Sequence, residues 1–542
     1  MSISRLIDRT IEGILKDAQF AYDYIIYTDG TNYFAFNTKT KQIDFVNTDA
    51  STVIQSAINA LTNGGSIFIR KNRYTITKIV GVSESIFIES DGAELINGAT
   101  PPYTSGVNDA ILSVGGTNTS LRISGLRFSD PLVRTQKGIV TTGSYRQIII
   151  ENCYFNQLFW GIWANDGMGT LIKGCTFYNN QDGVVNDTSV KHTIIDDCWF
   201  YGNTEYAISN VSGEPITIRN SVFRSDDELT GTSLGLNPVK LGSFGDTVTG
   251  CAFLRDSFVY AFSGSSIIGN FFQLSGISAL GSLSNVLISG NHFYNTRGIT
   301  LQASGATFNN ISILNNHFNF NGGQGMFING GGGSSGILIA GNKFYNVARG
   351  QAGNTAYSAV ALFNTINNVA IISNHFDTGT YGISLSNVSD ALIGGNKFIN
   401  LDQVLNLSSV AGLKIKLNKG YDTETFNTTG LSVPIGVSGA YGSPVSIISL
   451  SGVITFPRVK IIWGGTFGTG ETVTVNITAV YSDGSTASIT KSATTTGSLW
   501  LTDDDILALI TQGKDITQLQ VSASSNLAST SVTVTVDAYG TA

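Results

Sequence analysis

Three carboxylates and one tryptophan recur in the first half of the chain at a nearly constant spacing. Asp182, Glu205 and Glu228 are 23 residues apart, and Trp160 stands 22 residues before Asp182. If each interval is one turn of a repeating structure, the carboxylates stack, and repulsion between them raises the pKa of at least one. Such a pair suits acid–base catalysis of glycoside hydrolysis. We therefore predict these three carboxylates as catalytic, with bound Ca²⁺ as an alternative use of the same oxygens.

Aromatic side chains near these carboxylates indicate a second use of the same region. Trp160, Trp199 and Tyr201 offer large apolar faces with a polar edge, which suits contact with sugar rings. We predict these three residues as glycan-binding. The opposing interpretation is that the carboxylates lie in loops, face water and have no chemical role.

A phenylalanine recurs along the chain at similar intervals, and we call these phenylalanines the markers. Two residues before each marker stands Cys, Ser or Asn, and successive markers are 19 to 32 residues apart. Apolar residues alternate around each marker and stop at Gly or Asn, which is typical of short half-buried strands. Such strands, repeated without a helical pattern between them, predict a right-handed parallel β-helix. The markers are Phe155, Phe177, Phe200, Phe223, Phe253, Phe272, Phe293, Phe318, Phe344, Phe376 and Phe398.

The residue two places before each marker is predicted to form a ladder along the solenoid axis, because stacked amides can hydrogen-bond from coil to coil. The predicted structural ladder consists of Asn270, Asn291, Asn316, Asn342, Asn374 and Asn396. In earlier coils the same place holds all four cysteines, Cys153, Cys175, Cys198 and Cys251. We interpret the cysteines as small buried residues. Disulfides between coils are the alternative, and zinc is disfavoured because no paired Cys-x-x-Cys motif is present.

Two further columns follow from the same count. Residues four places before a marker alternate in charge, which predicts a surface ladder of ion pairs: Glu151, Lys173, Asp196 and Arg219. Three histidines stand directly before a marker, in a place that holds Lys in other coils: His292, His317 and His375. Because a charged residue is accepted in that place, we expect the histidines to face solvent and not to bind a metal.

Composition and charge exclude several classes of partner. The net charge is −7 and only 13% of the 542 residues are charged, so binding to a nucleic-acid backbone is not expected. No apolar run is long enough to predict a membrane span. Charged residues such as Arg5, Asp8 and Arg9 interrupt the N-terminal segment, so no secretion signal is predicted. Residues 1–20 show helical spacing of apolar residues, and this helix either self-associates or packs on the next segment.

Residues 21–62 are predicted to form a β-meander and a helix that begins after Asp49. Residues from this helix into the first coil resemble the N-terminal cap of pectate-lyase-like β-helices and phage tailspikes: Asp49, Ile54, Gln55, Ala57, Ile58, Gly64, Gly65, Ile67 and Tyr74. The resemblance implies that the helix covers the open end of the solenoid, whose free sheet edge would promote aggregation. We predict the β-helix over 63–430 and a C-terminal β-sandwich over 431–542, where long alternating strands replace the coil pattern.

This fold supports several functions, and three hypotheses remain open. The first is a homotrimeric spike or fibre protein on a virion or cell surface that binds host glycans. The second is a polysaccharide depolymerase, either a lyase or a hydrolase, that uses the three carboxylates. The third is a structural adhesin without catalysis. The weakly charged surface, rich in hydroxyl and amide groups, favours the first hypothesis.

Overall fold

The computed structural model describes most of the chain from residue 22 to residue 540. The segments outside the described residues are 1–21, 78–79, 99–109, 117–119, 133, 212–213, 226–237, 296–297, 320–324, 348–357, 417, 419–427, 439, 455–456, 482, 503–504, 506–508, 510–515, 528–529 and 541–542. The predicted N-terminal helix over 1–20 therefore lies outside them. The chain divides into two compact units, Met1–Ser278 and Ala279–Ala542.

The first unit opens with the predicted meander and helix. Three antiparallel strands, Tyr24–Thr28, Tyr33–Asn37 and Gln42–Asn47, precede helix Ala50–Ala60. Asp49 caps the helix because its carboxylate accepts the Ser51 N–H group, one of the donors that lacks a partner in the first turn. The helix buries one apolar side, which includes Val53, Ile54, Ala57 and Ile58.

Each coil that follows contributes a first, a second and a third strand, and each strand pairs in parallel with the equivalent strand of the next coil. In the first unit, the first strands are Gly65–Ile69, Ile86–Ser90, Ser120–Ser124, Gln147–Glu151, Thr170–Lys173, Thr193–Asp196, Ile216–Arg219, Thr247–Thr249 and Ser266–Ile268. The second strands are Arg73–Ile76, Glu94–Asn97, Arg127–Ser129, Tyr154–Asn156, Thr176–Tyr178, Trp199–Tyr201, Val222–Arg224, Ala252–Leu254 and Phe271–Gln273. The third strands are Val80–Val82, Ala110–Val114, Lys137–Thr141, Trp160–Gly167, Asp182–Val190, Tyr206–Asn210, Val239–Lys240 and Val259–Ala261, and Gly276–Ala279 spans the boundary between the units.

The marker phenylalanines point inward from the second strands and form a continuous stack. From Phe128 to Phe272 in the first unit, successive ring centroids are 4.6 to 5.0 Å apart. This spacing follows from the distance between paired strands. The residue three places before each marker has a positive φ angle, as at Asn152 (54°) and Gly174 (59°), which favours Asn or Gly and turns the chain from the first strand into the second.

The second unit continues with the same coil pattern. Its separate strands are Leu283–Ser289, His292–Tyr294, Gly298–Gln302, Phe308–Leu314, His317–Asn319, Met326–Asn329, Ser334–Ala340, Lys343–Val347 and Leu413–Lys416. Its three long strands each run through more than one side of a coil: Ser358–Ile372, His375–Gly394 and Lys397–Ser408. From Phe293 to Phe398 the rings stack 4.6 to 4.8 Å apart.

The second unit also contains two antiparallel sheets that pack on one another. One sheet consists of Thr428–Val433, Ser531–Gly540, Pro457–Thr466 and Gly497–Trp500. The other consists of Ile435–Gly436, Val445–Ile454, Val473–Tyr481, Thr486–Ala493 and Ile516–Ser525, and it includes one short parallel pairing. Alternate residues of both sheets fill one apolar core, in which Val475, Ile477, Val459 and Ile461 are fully buried. Thr502 and Asp505 form the reciprocal hydrogen bonds of a capping box.

Candidate functional site

The third strands of the first unit carry a cluster of aromatic and charged side chains on their outward side. Trp160 pairs with Asp182, and Asp182 pairs with Tyr206 on the following coil. The local sequence fixes this register, because the next residue of each strand is Gly or Ala and the one after it is a buried Ile or Val. At Gly161 and Gly183 an added Cβ would lie within 3 Å of a marker phenylalanine, so the stacked rings require a small residue there. We call the outward cluster of Lys137, Trp160, Trp163, Asp182, Tyr206 and Lys240 the Trp160 face.

Lys137 is a buried cation at one end of the Trp160 face, with only 5% of its surface exposed. Its Nζ atom lies 4.8 Å from the ring centroid of Trp160 and 4.3 Å from that of Trp163. The two indoles meet edge to face, with centroids 5.1 Å apart. A cation held against two tryptophans out of water is stabilised by about 2 kcal/mol or more, so the indoles and the ammonium group hold one another in place.

Trp163 is also held by a hydrogen bond, because its Nε1–H group donates to Oδ2 of Asp187 at 3.0 Å. Lys240 stands at the other end of the Trp160 face, with its Nζ atom 5.4 Å from the centroid of the Tyr206 ring. The face therefore presents aromatic rings between two cations.

Asp182 lies in the middle of this face and is 6% exposed. Its Oδ1 accepts the backbone N–H of Tyr206 at 2.9 Å, and the carboxylate also accepts a hydrogen bond from Trp160. The pKa of Asp182 is raised to about 7, mainly by burial and also by the nearby Glu205 charge, whereas the hydrogen bonds from Tyr206 and Trp160 and the charge of Lys240 oppose the rise. A carboxyl group with this pKa is partly protonated near neutral pH and can donate a proton or a hydrogen bond.

The predicted column of stacked carboxylates is corrected by the observed register. Glu205 stands one residue before Tyr206, the partner of Asp182, and its own neighbour is Gln181, whose Nε2 group donates to Oε2 of Glu205 at 2.9 Å. The chain has one more residue between Asn203 and Tyr206 than between Asn180 and Asp182, and this residue shifts Glu205 out of the column. Asp182 is also the first residue of a strand and not a loop residue, whereas Glu205 is exposed.

Glu228, the third predicted catalytic residue, lies outside the described residues, as do Asp226 and Asp227. Among the described residues, no three His, Cys, Asp or Glu side chains are close enough together to hold a metal ion. The part of the chain that the structure describes also includes no helix with the length and apolar character needed to cross a membrane.

Trp199 and Tyr201 are predicted to bind glycan with Trp160, but they lie on a different strand of the coil. Both belong to the second strand Trp199–Tyr201, on either side of the buried Phe200. Their rings stack with centroids 5.7 Å apart, and Trp199 is 43% exposed. They form an aromatic pair of their own on the outward side of the second strands.

The residues two places before the markers form two kinds of ladder. From Asn291 to Asn396, each asparagine donates its backbone N–H and its Nδ2–H group to Oδ1 of the next asparagine, at 2.9 to 3.0 Å. The last acceptor is Asn418, which extends the predicted series by one coil. Asn270 belongs to the first unit, where its Oδ1 accepts the N–H of Cys251 at 2.9 Å.

The four cysteines are free and buried in this place. The thiols of Cys175 and Cys198 lie 3.3 to 3.6 Å from backbone carbonyl oxygens. Burial and the neighbouring thiols raise the pKa of Cys175, so it is held as the neutral thiol.

In the surface column of alternating charges, Arg219 pairs with Asp196 at 3.0 Å, and Glu151 pairs with Arg122 of the preceding coil.

Counting from the markers did not identify Lys137, Tyr206 and Lys240 as members of the site. For Lys137 and Tyr206 the missed signal is the small residue and the branched apolar residue that follow the outward position, as in Lys137-Gly-Ile and Tyr206-Ala-Ile. Aligning the coils on this pair, and not on phenylalanine, places Lys137, Trp160, Asp182 and Tyr206 in one column.

Comparison with known proteins supports the fold. Residues 109–272 match the family described as right handed beta helix region. The chain is similar to a tailspike protein of Escherichia coli bacteriophage HK620, at 12% identity and a TM-score of 0.39, over 91% of this chain and 90% of that chain. It is also similar to tailspike protein 3 of bacteriophage CBA120, at 13% identity and a TM-score of 0.39, over 76% of this chain and 69% of that one.

A third similar structure is the surface protein and adhesin PfbA of Streptococcus pneumoniae, at 13% identity and a TM-score of 0.35, over 68% of this chain and 96% of that chain. A search among curated proteins found no match. The family match and the parallel three-stranded coils show that this chain is a right-handed parallel β-helix protein.

Proposed function

We propose that this protein is a spike or fibre protein of a virion or cell surface, and that it binds a glycan on the Trp160 face. The observation that carries the proposal is the indole pair of Trp160 and Trp163, half-buried on an outward sheet surface beside the buried cation Lys137. Rigid aromatic rings provide large contact areas at low entropic cost. Asp182 and Tyr206 add hydrogen-bonding groups beside the rings, which suits the alternating apolar and hydroxyl surfaces of a sugar.

The binding proposal is tested by titrating the protein against a panel of soluble polysaccharides and following the heat of binding. For the polysaccharide that binds, replacing Trp160 by Ala is expected to weaken binding about 30-fold or more, as for a central aromatic contact. Phe327→Ala is the matched control, because Phe327 is a half-buried aromatic residue on an outward third-strand position of the second unit. Equal affinities of the two variants would contradict the proposal.

Assembly as a homotrimer is part of the same proposal. Light scattering on the purified 57.5 kDa chain measures this directly. A mass three times that of the chain is expected for a spike. A monomeric mass at all accessible concentrations would contradict the trimeric spike, and the proposal would then reduce to a glycan-binding protein of one chain.

A polysaccharide depolymerase is the second candidate function, and the raised pKa of Asp182 favours it. A carboxyl group that is partly protonated near neutral pH suits a general acid, and the nearby Glu205 supplies a second carboxylate. Asp182→Asn keeps the size and hydrogen-bonding capacity of the side chain but removes its proton transfer. We expect this variant to lose cleavage, measured as new reducing ends or unsaturated products, and to retain binding within about threefold.

Glu205→Gln tests whether the second carboxylate takes part in the same reaction. Cleavage by two carboxylates requires both, so this variant should lose activity as well. Unchanged cleavage in both the Asp182 and the Glu205 variant would contradict their role as the catalytic pair, and no cleavage by the unmodified chain would contradict the depolymerase; both results leave the binding proposal intact.

A further inference from the structure

A second column of titratable side chains runs along the outward side of the second strands in the second unit. Its members pair in register from coil to coil: His292, His317, Lys343, His375 and Lys397. We call these five residues the basic column. Parallel strands are about 4.8 Å apart, so each coil adds one cationic or protonatable group at that interval. None of these residues belongs to the Trp160 face, which lies in the other unit.

The two lysines of the basic column have no carboxylate partner within the described residues. Both are exposed, and neither forms an ion pair among the bridges that the structure shows there. Asp377 stands two residues after His375 on the same strand, and its Oδ1 accepts a hydrogen bond from Thr378. The column therefore carries an excess of positive charge, although the whole chain has a net charge of −7.

The imidazoles of the column are ordered by ring contacts. The His292 and His317 rings lie parallel, with centroids 4.5 Å apart. Tyr345 contacts the rings of both His317 and His375, at 5.2 and 5.7 Å. Nε2 of His375 is buried and has no hydrogen-bond partner in the structure. The imidazoles of the column are therefore packed against neighbouring rings, and one buried polar nitrogen has no partner.

We propose that the basic column binds a linear, negatively charged polysaccharide, whose acidic groups lie beside the cations of successive coils. A repeat of about 4.8 Å between coils is comparable with the length of one sugar ring, so a polymer with an acid on each sugar stays in register with the column. The neighbouring Tyr294, Asn319 and Tyr345 provide aromatic and amide groups beside the chain of sugars. This site shares no residue with the proposed glycan site on the Trp160 face, so it is a second binding site.

A polysaccharide fits the column better than a nucleic acid does. The cations lie in one line along the column. Binding to a nucleic-acid backbone instead depends on many lysine and arginine contacts, and an acidic protein surface weakens it. The column has two lysines, no arginine and a net negative chain around it.

The charge of the column increases as the pH falls. Burial lowers the pKa of His317, and the neighbouring His292 and Lys343 lower it further. Burial also lowers the pKa of His375, with Lys397 and Lys343 adding to this effect and Asp377 opposing it. Both imidazoles are therefore neutral at pH 7 and gain a proton only under more acidic conditions. A bound polyanion favours the protonated forms, so binding strengthens as the pH is lowered.

The experiment measures binding of dextran sulfate, polygalacturonate and neutral dextran to the full chain by titration calorimetry. Dextran sulfate keeps its charge at all the pH values used, so any pH dependence of its binding arises in the protein. We expect both acidic polymers to bind and neutral dextran not to bind. Binding of dextran sulfate should become tighter as the pH is lowered from 7.5 toward 5, because His317 and His375 gain positive charge beside the polymer. Binding of one acidic polymer only would identify sulfate or carboxylate as the recognised group.

Three variants locate the site. Lys343→Gln with Lys397→Gln should weaken dextran sulfate binding about tenfold at pH 7.5. The matched control is Lys173→Gln with Lys414→Gln, which removes the same charge from two exposed lysines outside the column and should leave binding unchanged. His317→Gln with His375→Gln should remove the increase at pH 5 and keep the affinity at pH 7.5.

Equal weakening in the column and control lysine variants would overturn the proposal, because binding would then follow net charge alone. Equally tight binding of a single-stranded oligonucleotide of matched charge would overturn the assignment to a polysaccharide. Trp160→Ala should bind dextran sulfate as the unmodified chain does, so failure at the basic column and failure at the Trp160 face are separate results.

Discussion

The third strands of the two units share their inward pattern and differ in what they present outward. In the first unit the outward column reads Lys137, Trp160, Asp182 and Tyr206. In the second unit the equivalent place, two residues before the buried Val360 and Ile383, holds the uncharged Ser358 and Tyr381 in the coils where the structure describes it. The same inward packing thus supports two different outer surfaces, so the chemical role of this protein is set by outward residues that the fold leaves free.

The largest expected effect concerns the shared interior. Phe177→Ala and Phe318→Ala each remove one ring from a stack with neighbours 4.6 to 4.8 Å away. Each substitution is expected to lower the free energy of unfolding by about 3–5 kcal/mol, through lost burial and a residual cavity. Urea unfolding followed by circular dichroism measures both. If one stack tolerates the loss and the other does not, the two units do not share one packing rule.

The next effect separates the amide ladder from the thiol ladder. Asn342→Leu leaves the backbone N–H and the Nδ2–H group of Asn316 without their acceptor, at a cost of about 3 kcal/mol for two buried donors. Cys175→Ala removes only a small thiol with weak hydrogen bonds and should cost about 1 kcal/mol. A Leu variant that unfolds at the same urea concentration as the unmodified chain would remove the ladder as a source of stability.

A smaller effect depends on pH and belongs to the first unit alone. The folded-state pKa of Asp182, about 7, is above the ordinary value of 3.8, so folding favours the protonated form. The contribution is fully present below the unfolded-state pKa and is lost as the pH rises toward 7. Between about pH 5 and pH 7 the loss is about 2 kcal/mol. Asp182→Asn should remove this slope in the free energy of unfolding, and Glu205→Gln should keep it; identical slopes in all three proteins would contradict the burial of a titrating Asp182.

The smallest effect is expected at the surface column of alternating charges. Arg219 pairs with Asp196 at 3.0 Å but is itself largely in contact with water. Exposed pairs contribute about 0–1 kcal/mol, so Arg219→Ala should change the free energy of unfolding by less than about 1 kcal/mol. A greater loss would show that the charged column supports the coils to the same degree as the inward ladders.

The inward half of the structure could be predicted because it repeats. A stacked phenylalanine and a small polar or thiol side chain two residues earlier must return in each coil, since each must meet its own kind on the next coil. The helix after Asp49 and the alternating strands of the C-terminal sandwich also carry local signals. These features depend on neighbours in sequence and on one period, so the sequence alone predicts them.

The outward site could be predicted only in part, because turn lengths vary between coils. One additional residue after Asn203 moves Glu205 out of the column that Asp182 occupies. Because turn lengths vary, counting from the phenylalanines does not place Lys137 and Tyr206 in this column. Burial of a lysine and an aspartate on the outward side depends on how neighbouring coils are placed, and no local pattern reports it.

The most direct test of the account is a crystal structure of the protein with a bound oligosaccharide from the polysaccharide that it recognises. We predict a sugar ring in contact with Trp160 and Trp163, with a hydroxyl group within hydrogen-bond distance of Asp182. Density for the sugar at Trp199 and Tyr201, or only in the second unit, with the Trp160 face empty, would contradict the central claim.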